Sequence, residues 1–225
     1  MNMKPTHIIL SGTLAVLLAS TAFSAELPQS AELNYSGSYG IPATMTFTKS
    51  GNSYKVVANI KVPLYRIRFE SGGTIAGNTL KPSYYKDIRG GKTYAEAKFS
   101  GNSVTYGKAG SPKTENASGT TMDLFTLAWH LAANEGKLPS GLKITNGKKL
   151  YPVSGMKKTG SGEYKFSGGN TPVNHYRVHR GDSTINYSFA PALNNIPAQI
   201  SYTDDGKTYN LKLTGIKING QTVQP

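Results

Sequence analysis

Short runs in which apolar and polar residues alternate, cut at intervals by glycine- and asparagine-bearing turns, constrain this chain more than any other feature. Residues 54–61 (Tyr54-Lys55-Val56-Val57-Ala58-Asn59-Ile60-Lys61) repeat with period two. Residues 64–70 do the same, with Tyr65, Ile67 and Phe69 on one face and Arg66, Arg68 and Glu70 on the other. Thr93, Ala95, Ala97 and Phe99 oppose Lys92, Glu96 and Lys98, and Ile200 and Tyr202 answer Tyr209, Leu211 and Leu213. Successive strand side chains point to opposite faces, so this pattern predicts strands with one buried and one wet face. Gly51-Asn52, Gly90-Gly91, Gly101-Asn102, Asn146-Gly147, Asp205-Gly206 and Asn219-Gly220 supply the positive φ that tight hairpins need. The best-defined hairpin spans residues 199–213 and closes on Asp204-Asp205-Gly206. Ser50-Gly51-Asn52-Ser53 recurs as Ser100-Gly101-Asn102-Ser103, either as an internal repeat or as reuse of one good turn. Residues 107–119 are rich in Gly, Lys, Ser and Thr, lack a period and read as a loop. Gly160-Ser161-Gly162 and Gly168-Gly169 read as turns. The expected fold is mainly β: a single antiparallel β-roll or open barrel-like domain over residues 25–225.

One stretch departs from this pattern. TTMDLFTLAWHLAANEGKLP, residues 120–139, predicts one short buried helix at about residues 122–135. Thr120 or Thr121 is expected to cap it, with Asp123 in the first turn, where the helix dipole favours an acid. Gly136 is expected as the C′ residue, with Pro139 beyond it. Leu124, Phe125, Leu127, Ala128, Trp129, Leu131 and Ala132 cover most faces, so the helix must be enclosed on most sides. Two roles stay open: the helix completes the core, or it forms a lid over an apolar ligand cavity.

The first residues are not part of the fold. Lys4 lies in a short charged segment, Ile8 to Leu18 is apolar, and Ala22-Phe23-Ser24 has the small-x-small form of a cleavage site. Residues 1–24 therefore read as a cleaved signal peptide. A membrane-spanning helix needs about 20 apolar residues, which neither this run nor any later one supplies. No transmembrane segment is expected after cleavage. The chain has no cysteine, which excludes disulfides, thiol chemistry and a lipoprotein anchor. The expected location is the periplasm. Net charge is +13, and loss of Lys4 leaves +12. Such a chain associates with anionic surfaces. In an envelope these are lipid headgroups, phosphates or acidic glycans, and export argues against nucleic acid. The lysines are spread singly, as on a solvated basic surface, rather than in a stripe.

Chemistry is sparse. His175 and His179 are four residues apart on an expected strand, about 13 Å from one another. Two zinc ligands must each lie within about 2.1 Å of one ion, so that pair does not chelate and no metal site is expected. Arg180-Gly181-Asp182 matches a cell-adhesion tripeptide, but a turn between two strands explains it. No G-x-S-x-G elbow and no phosphate-binding glycine loop is present. Paired carboxylates for glycoside cleavage would have to come from Glu70 with Asp87 or Glu96. Fourteen tyrosines are available to stack on sugars or to sit half-buried in strands.

Several segments occur in an order that resembles a known family. LNYSGSYGIPA (Leu33 to Ala43) precedes the strand SYKVVANIKV. Then come ESGGTIAGNTLKPSYY (Glu70 to Tyr85), the DLFTLAWHL helix and a late IPAQISY (Ile196 to Tyr202). This order is similar to the domain-of-unknown-function family numbered 3108, found in exported proteins of Gram-negative bacteria. The resemblance implies a β-rich roll or open barrel with a small helical insertion, and lends no catalytic residues.

The expected function is that of a non-enzymatic binding or carrier protein for an apolar or anionic envelope ligand, a lipid or glycan. Phe125 and Trp129 would cover a cavity beside Tyr65, while Arg66, Arg68 and Arg89 would meet an anionic headgroup. A scaffold that binds an envelope protein partner is the second expectation, and a polysaccharide-acting enzyme the third. No cofactor is implied.

Overall fold

A computed structural model describes residues 26–204 and 207–224. The expected signal peptide and the Asp205-Gly206 turn pair lie outside the described residues. The strands are β1 (Ser30–Gly37), β2 (Pro42–Ser50), β3 (Ser53–Val62), β4 (Tyr65–Ala76), β5 (Thr79–Arg89), β6 (Lys92–Ser100), β7 (Ser103–Lys108), β8 (Ser111–Asn116) and β9 (Thr121–Asp123). After the helix α1 (Leu124–Ala133) come β10 (Lys143–Thr145), β11 (Leu150–Phe166), β12 (Gly169–Arg180), β13 (Ser183–Ala190), β14 (Ile196–Asp204), β15 (Lys207–Ile218) and β16 (Gln221–Thr222). All join one open sheet, in the order β8-β7-β6-β5-β4-β3-β2-β1-β15-β14-β13-β12-β11-β10-β9, with β16 on β15. This is the expected barrel-like β architecture with one helix. The two edge strands, β8 and β9, follow one another in the chain but do not pair.

Every pairing except β9–β10 is antiparallel, so the connections fall at two opposite ends. The upper end carries the turns β1–β2, β3–β4, β5–β6, β7–β8, β10–β11, β12–β13 and β14–β15. The lower end carries β2–β3, β4–β5, β6–β7, β11–β12, β13–β14 and β15–β16. The expected alternation holds where it was clearest: Ala95 and Ala97 are fully buried, Lys98 is exposed, and Tyr202 pairs with Tyr209 as Ile200 does with Leu211.

α1 runs from the upper part of the barrel to its lower end, inside the curve of the sheet. Residues 126–133 are all buried. Trp129 has no exposed surface and stacks on Phe47 of β2, with ring centroids 4.4 Å apart. Its indole N–H has no hydrogen-bond partner among the described residues, so its contribution is packing. Leu127, Ala128, Leu131 and Ala132 pack the other way, against Val178, Ile185, Tyr187 and Phe189. The helix is core, and full burial of each of its leucines contributes about 1.5–3 kcal/mol.

The caps differ from expectation. Thr121 belongs to β9, and Asp123 is the N-cap: its carboxylate accepts from the N–H groups of Phe125 and Thr126 and from Thr126 Oγ1. A carboxylate satisfies two orphan amides at once, which a threonine hydroxyl two or three residues further out cannot reach. At the other end the left-handed C′ residue is Glu135 (φ 50), and Gly136 follows it as C″, donating to Leu131 O at 2.8 Å. Gly136 is required for a different reason: a Cβ there would lie 2.7 Å from the Tyr176 ring. Asparagines complete the lower end, with Asn78 Nδ2 donating to Ala133 O and Asn195 Nδ2 to Ala132 O.

Two further expectations are corrected. Residues 107–119 are not a loop throughout, because β7 and β8 form a hairpin there. β8 reads SPKTEN and has no apolar face; backbone bonds and the Thr105–Thr114 hydroxyl pair hold it as an edge strand, where Pro and Lys discourage further pairing. Gly160-Ser161-Gly162 lies within β11, not in a turn. There β11 extends as a solvated arm, exposed on both faces over residues 157–163, so no alternation marks it, while Thr171 and Val173 of the paired β12 stay buried. The end of the arm folds back against β15: Tyr164 OH donates to Leu213 O at 2.8 Å, Ser167 Oγ donates to Thr214 O, and Phe166 joins the core.

Candidate functional site

The seam between the two ends of the sheet is crossed by a loop, not by strand pairing. Residues 146–149 connect β10 to β11, and Gly147, at φ +80, sits so close to β5 and β6 that a Cβ would lie 3.0 Å from the Tyr85 ring and 3.2 Å from Ala95 Cβ. Asn146 shapes the loop. Its Oδ1 accepts from the backbone N–H groups of Lys148 and Lys149 at 3.1 and 3.0 Å. Such a side-chain turn fixes where both lysines start.

Above this crossing lies a cleft of about 460 Å³ lined by Tyr94, Lys108, Lys113, Lys148, Lys149 and Tyr151. Tyr94 owes its position to a bulge. β5 and β6 pair Asp87 with Ala95 and Ile88 with Thr93, leaving Tyr94 as the extra residue on β6. Bulges at barrel rims re-aim side chains in this way. Three cations from three segments converge on the Tyr94 ring: the Arg89 guanidinium 3.9 Å from its centroid, Lys108 Nζ at 5.8 Å and Lys148 Nζ at 5.9 Å. Arg89 also makes two bonds to Asp87, at 3.1 and 2.9 Å. Lys113 is paired with Glu115 at 2.9 Å, and hydrogen bonds from Tyr106 and Lys113 hold that carboxyl below its usual range. Lys108, Lys148 and Lys149 have no ion-pair partner among the described residues. On the far wall, Tyr151 is backed by the guanidinium of Arg180, 4.0 Å from its ring centroid. Arg180 is fully buried, bonds Ser183 Oγ and also stacks on Tyr202. The arginine of the Arg-Gly-Asp tripeptide thus faces inward.

The residues expected from sequence separate. Phe125 is half-buried against Phe69, with centroids 5.2 Å apart, and Trp129 is core. Tyr65 opens β4 opposite Val62. Arg66 is exposed, and Arg68 bonds Glu70 on the same outer face. Arg89 alone reaches the cleft, through Tyr94. His175 and His179 lie on β12 as expected, His175 Nδ1 lying 2.8 Å from Ser188 Oγ. The cleft residues escaped sequence reasoning, and the one local signal was a turn followed by two lysines, Asn146-Gly147-Lys148-Lys149.

A second polar cluster is internal. Thr126 Oγ1 lies 3.0 Å from Tyr54 OH and 3.4 Å from Ser71 Oγ, beside Asp123. Burial raises the Asp123 carboxyl pKa against the pull of its hydrogen bonds. Its oxygens are occupied in accepting the bonds that cap α1. One turn on, burial lowers His130 to about 4, and its Nδ1 accepts from Leu80 N–H at 3.4 Å.

The fold and cleft define an open β-barrel with a helix in its core and a basic, tyrosine-walled mouth. The chain belongs to the family described as protein of unknown function DUF3108, whose model matches residues 32–214. It is also similar to the crystal structure of a β-barrel-like protein of domain of unknown function DUF1849 from Brucella abortus. That similarity has a TM-score of 0.50 at 12% identity over 85% of this chain and 98% of the other, and shows the fold alone. Comparison with curated proteins gives no match.

Proposed function

We propose that the protein is a non-enzymatic binding protein of the cell envelope and that its anionic ligand, a phosphate- or sulfate-bearing glycan or headgroup, sits in the seam cleft. The observation that carries this is the convergence of Arg89, Lys108 and Lys148 on one tyrosine ring, with Lys149 beside them; Asp87 pairs with Arg89, and the three lysines have no ion-pair partner among the described residues. Like charges gathered this closely repel, and an anion relieves that repulsion. Tyr94 and Tyr151 form the two walls, and aromatic faces of this kind suit a sugar ring. The leader expected on residues 1–24 supports export to the periplasm. The placement of the carboxylates supports a role without catalysis. Asp87 faces the interior, held by Arg89, whereas Glu70 and Glu96 sit on partly exposed strand faces in ion pairs with Arg68 and Lys98. Since α1 is packed as core, the reading places the ligand in the cleft and not beneath the helix.

The test is isothermal titration with inorganic pyrophosphate and with a sulfated oligosaccharide. Binding that weakens steeply with salt, and falls about tenfold in the double variant Lys108→Gln/Lys148→Gln, is expected. Failure of both probes to bind at low salt overturns the reading.

A further inference from the structure

Among the described residues three large hydrophobic side chains stand exposed: Tyr39 and Leu64 completely, and Tyr209 by 55%. All three are at the upper end. Tyr39 lies in the β1–β2 connection, Leu64 in the β3–β4 turn, and Tyr209 near the start of β15. The first connection is tied to β15, with Asn210 N–H donating to Ser38 Oγ at 2.9 Å. Strands about 4.8 Å apart put the Tyr39 and Leu64 turns roughly 10 Å from one another along the rim. Single exposed hydrophobics are ordinary, but three gathered at one end form a surface.

The fold does not call for these residues. Tyr39 and Leu64 have φ of 60 and 73, a left-handed conformation that glycine or asparagine adopts at less cost. At the lower end the same conformation is given to Gly51, Gly77 and Gly101. The upper rim is also cationic. Lys61, Arg66 and Lys92 are exposed there beside the cleft lysines, and none of the three has an ion-pair partner among the described residues.

We propose that the upper rim docks on an anionic phospholipid bilayer, with Leu64 and Tyr39 entering the headgroup region, Tyr209 at its boundary and the rim cations over the anionic headgroups. Each component suits that surface: a leucine gains from leaving water, tyrosine is amphipathic at an interface, and lysine and arginine are attracted to anionic lipid. Docking in this way turns the mouth of the cleft toward the membrane, whatever ligand the cleft takes.

The test is co-sedimentation of the full chain with vesicles of mixed phosphatidylglycerol and phosphatidylcholine, and with vesicles of phosphatidylcholine alone. Binding to the mixed vesicles only is expected. The double variant Tyr39→Asn/Leu64→Asn should lower partitioning by at least about tenfold. Asparagine accepts the left-handed backbone, so its thermal stability should equal or exceed that of the native protein. The proposal is overturned by absence of binding to the mixed vesicles, by equal binding to both kinds, or by undiminished binding of the double variant. Self-association or capture of a protein through these tips, without vesicle binding, overturns it as well. Lys108→Gln/Lys148→Gln separates the two sites. If that variant loses pyrophosphate but keeps vesicles, docking stands on the tips alone. If it loses vesicles while the tip variant keeps them, docking by the tips fails and the cleft reading survives.

Discussion

At the lower end of the barrel the hairpin turns carry glycine and asparagine in left-handed conformations, Asn78 and Asn195 bond the last carbonyls of α1, and the β11–β12 arm lays Phe166 onto the core. At the upper end a tyrosine and a leucine occupy left-handed positions in full exposure, and lysines with no ion-pair partner among the described residues approach one aromatic ring. The same sheet therefore ends in two ways. The lower end closes over the core, whereas the upper end leaves Tyr39 and Leu64 in water near a group of cations. Backbone strain persists in a fold where a function retains it, and among the described residues two of the three left-handed residues other than glycine and asparagine, Tyr39 and Leu64, are at the upper end, the third being Glu135 at the lower.

This contrast can be broken first in the interior. Trp129→Ala should cost about 3–5 kcal/mol, because it leaves a cavity beside Phe47 that the sheet cannot collapse to fill. Denaturant unfolding measures the loss, and anion binding by the folded fraction should not change. A loss below about 1 kcal/mol together with altered binding would restore the lid role of α1.

Acid probes the same region less severely. His130 titrates near 6.5 when unfolded and at about 4 when folded. Its contribution is complete above pH 6.5, and is lost as the pH falls toward 4 because the unfolded chain takes up the proton first. The loss amounts to about 2–3 kcal/mol by pH 4. Thermal melts across this window should show it, and His130→Gln should flatten that part of the profile.

The smallest effect is at the rim and has the opposite sign. Leu64→Asn should stabilise the protein by about 1 kcal/mol by relieving the left-handed leucine, a gain of a few degrees in Tm. Destabilisation would mean that Leu64 contributes to the fold and that the two ends are less different than they look.

The sequence carried the architecture because burial is periodic. Strands with one dry face, such as β3 and β6, advertise themselves, and a helix apolar on most sides announces its enclosure. β8 was hidden because an edge strand exposed on both faces has no alternation to read, and the arm of β11 was hidden for the same reason. The cap lies two or three residues beyond Thr121 and Thr120 because threonine and aspartate are both good capping types, and only the extent of β9 decides between them. The cleft was illegible on other grounds. Its residues come from β6, β7, β8, β11 and a loop, which meet only because the sheet curves until its first and last strands face one another. Tyr94 reaches it through a bulge that no local pattern records. Of the residues the sequence points to, Arg89 reaches it, through Tyr94.

One pairing has a consequence for how the chain folds. Every pairing joins strands adjacent in sequence except β1–β15, beside which Ser30 N–H donates to Oδ1 of Asn219, just past β15 and 189 residues away. The middle of the sheet therefore cannot close until the last long strand arrives, and the entropy of closing that loop falls on a single step. If the ends of the chain were joined there and the chain were opened between β8 and β9, strand order in space and in sequence would coincide. Contact order would drop, and folding should quicken with no change in the final contacts.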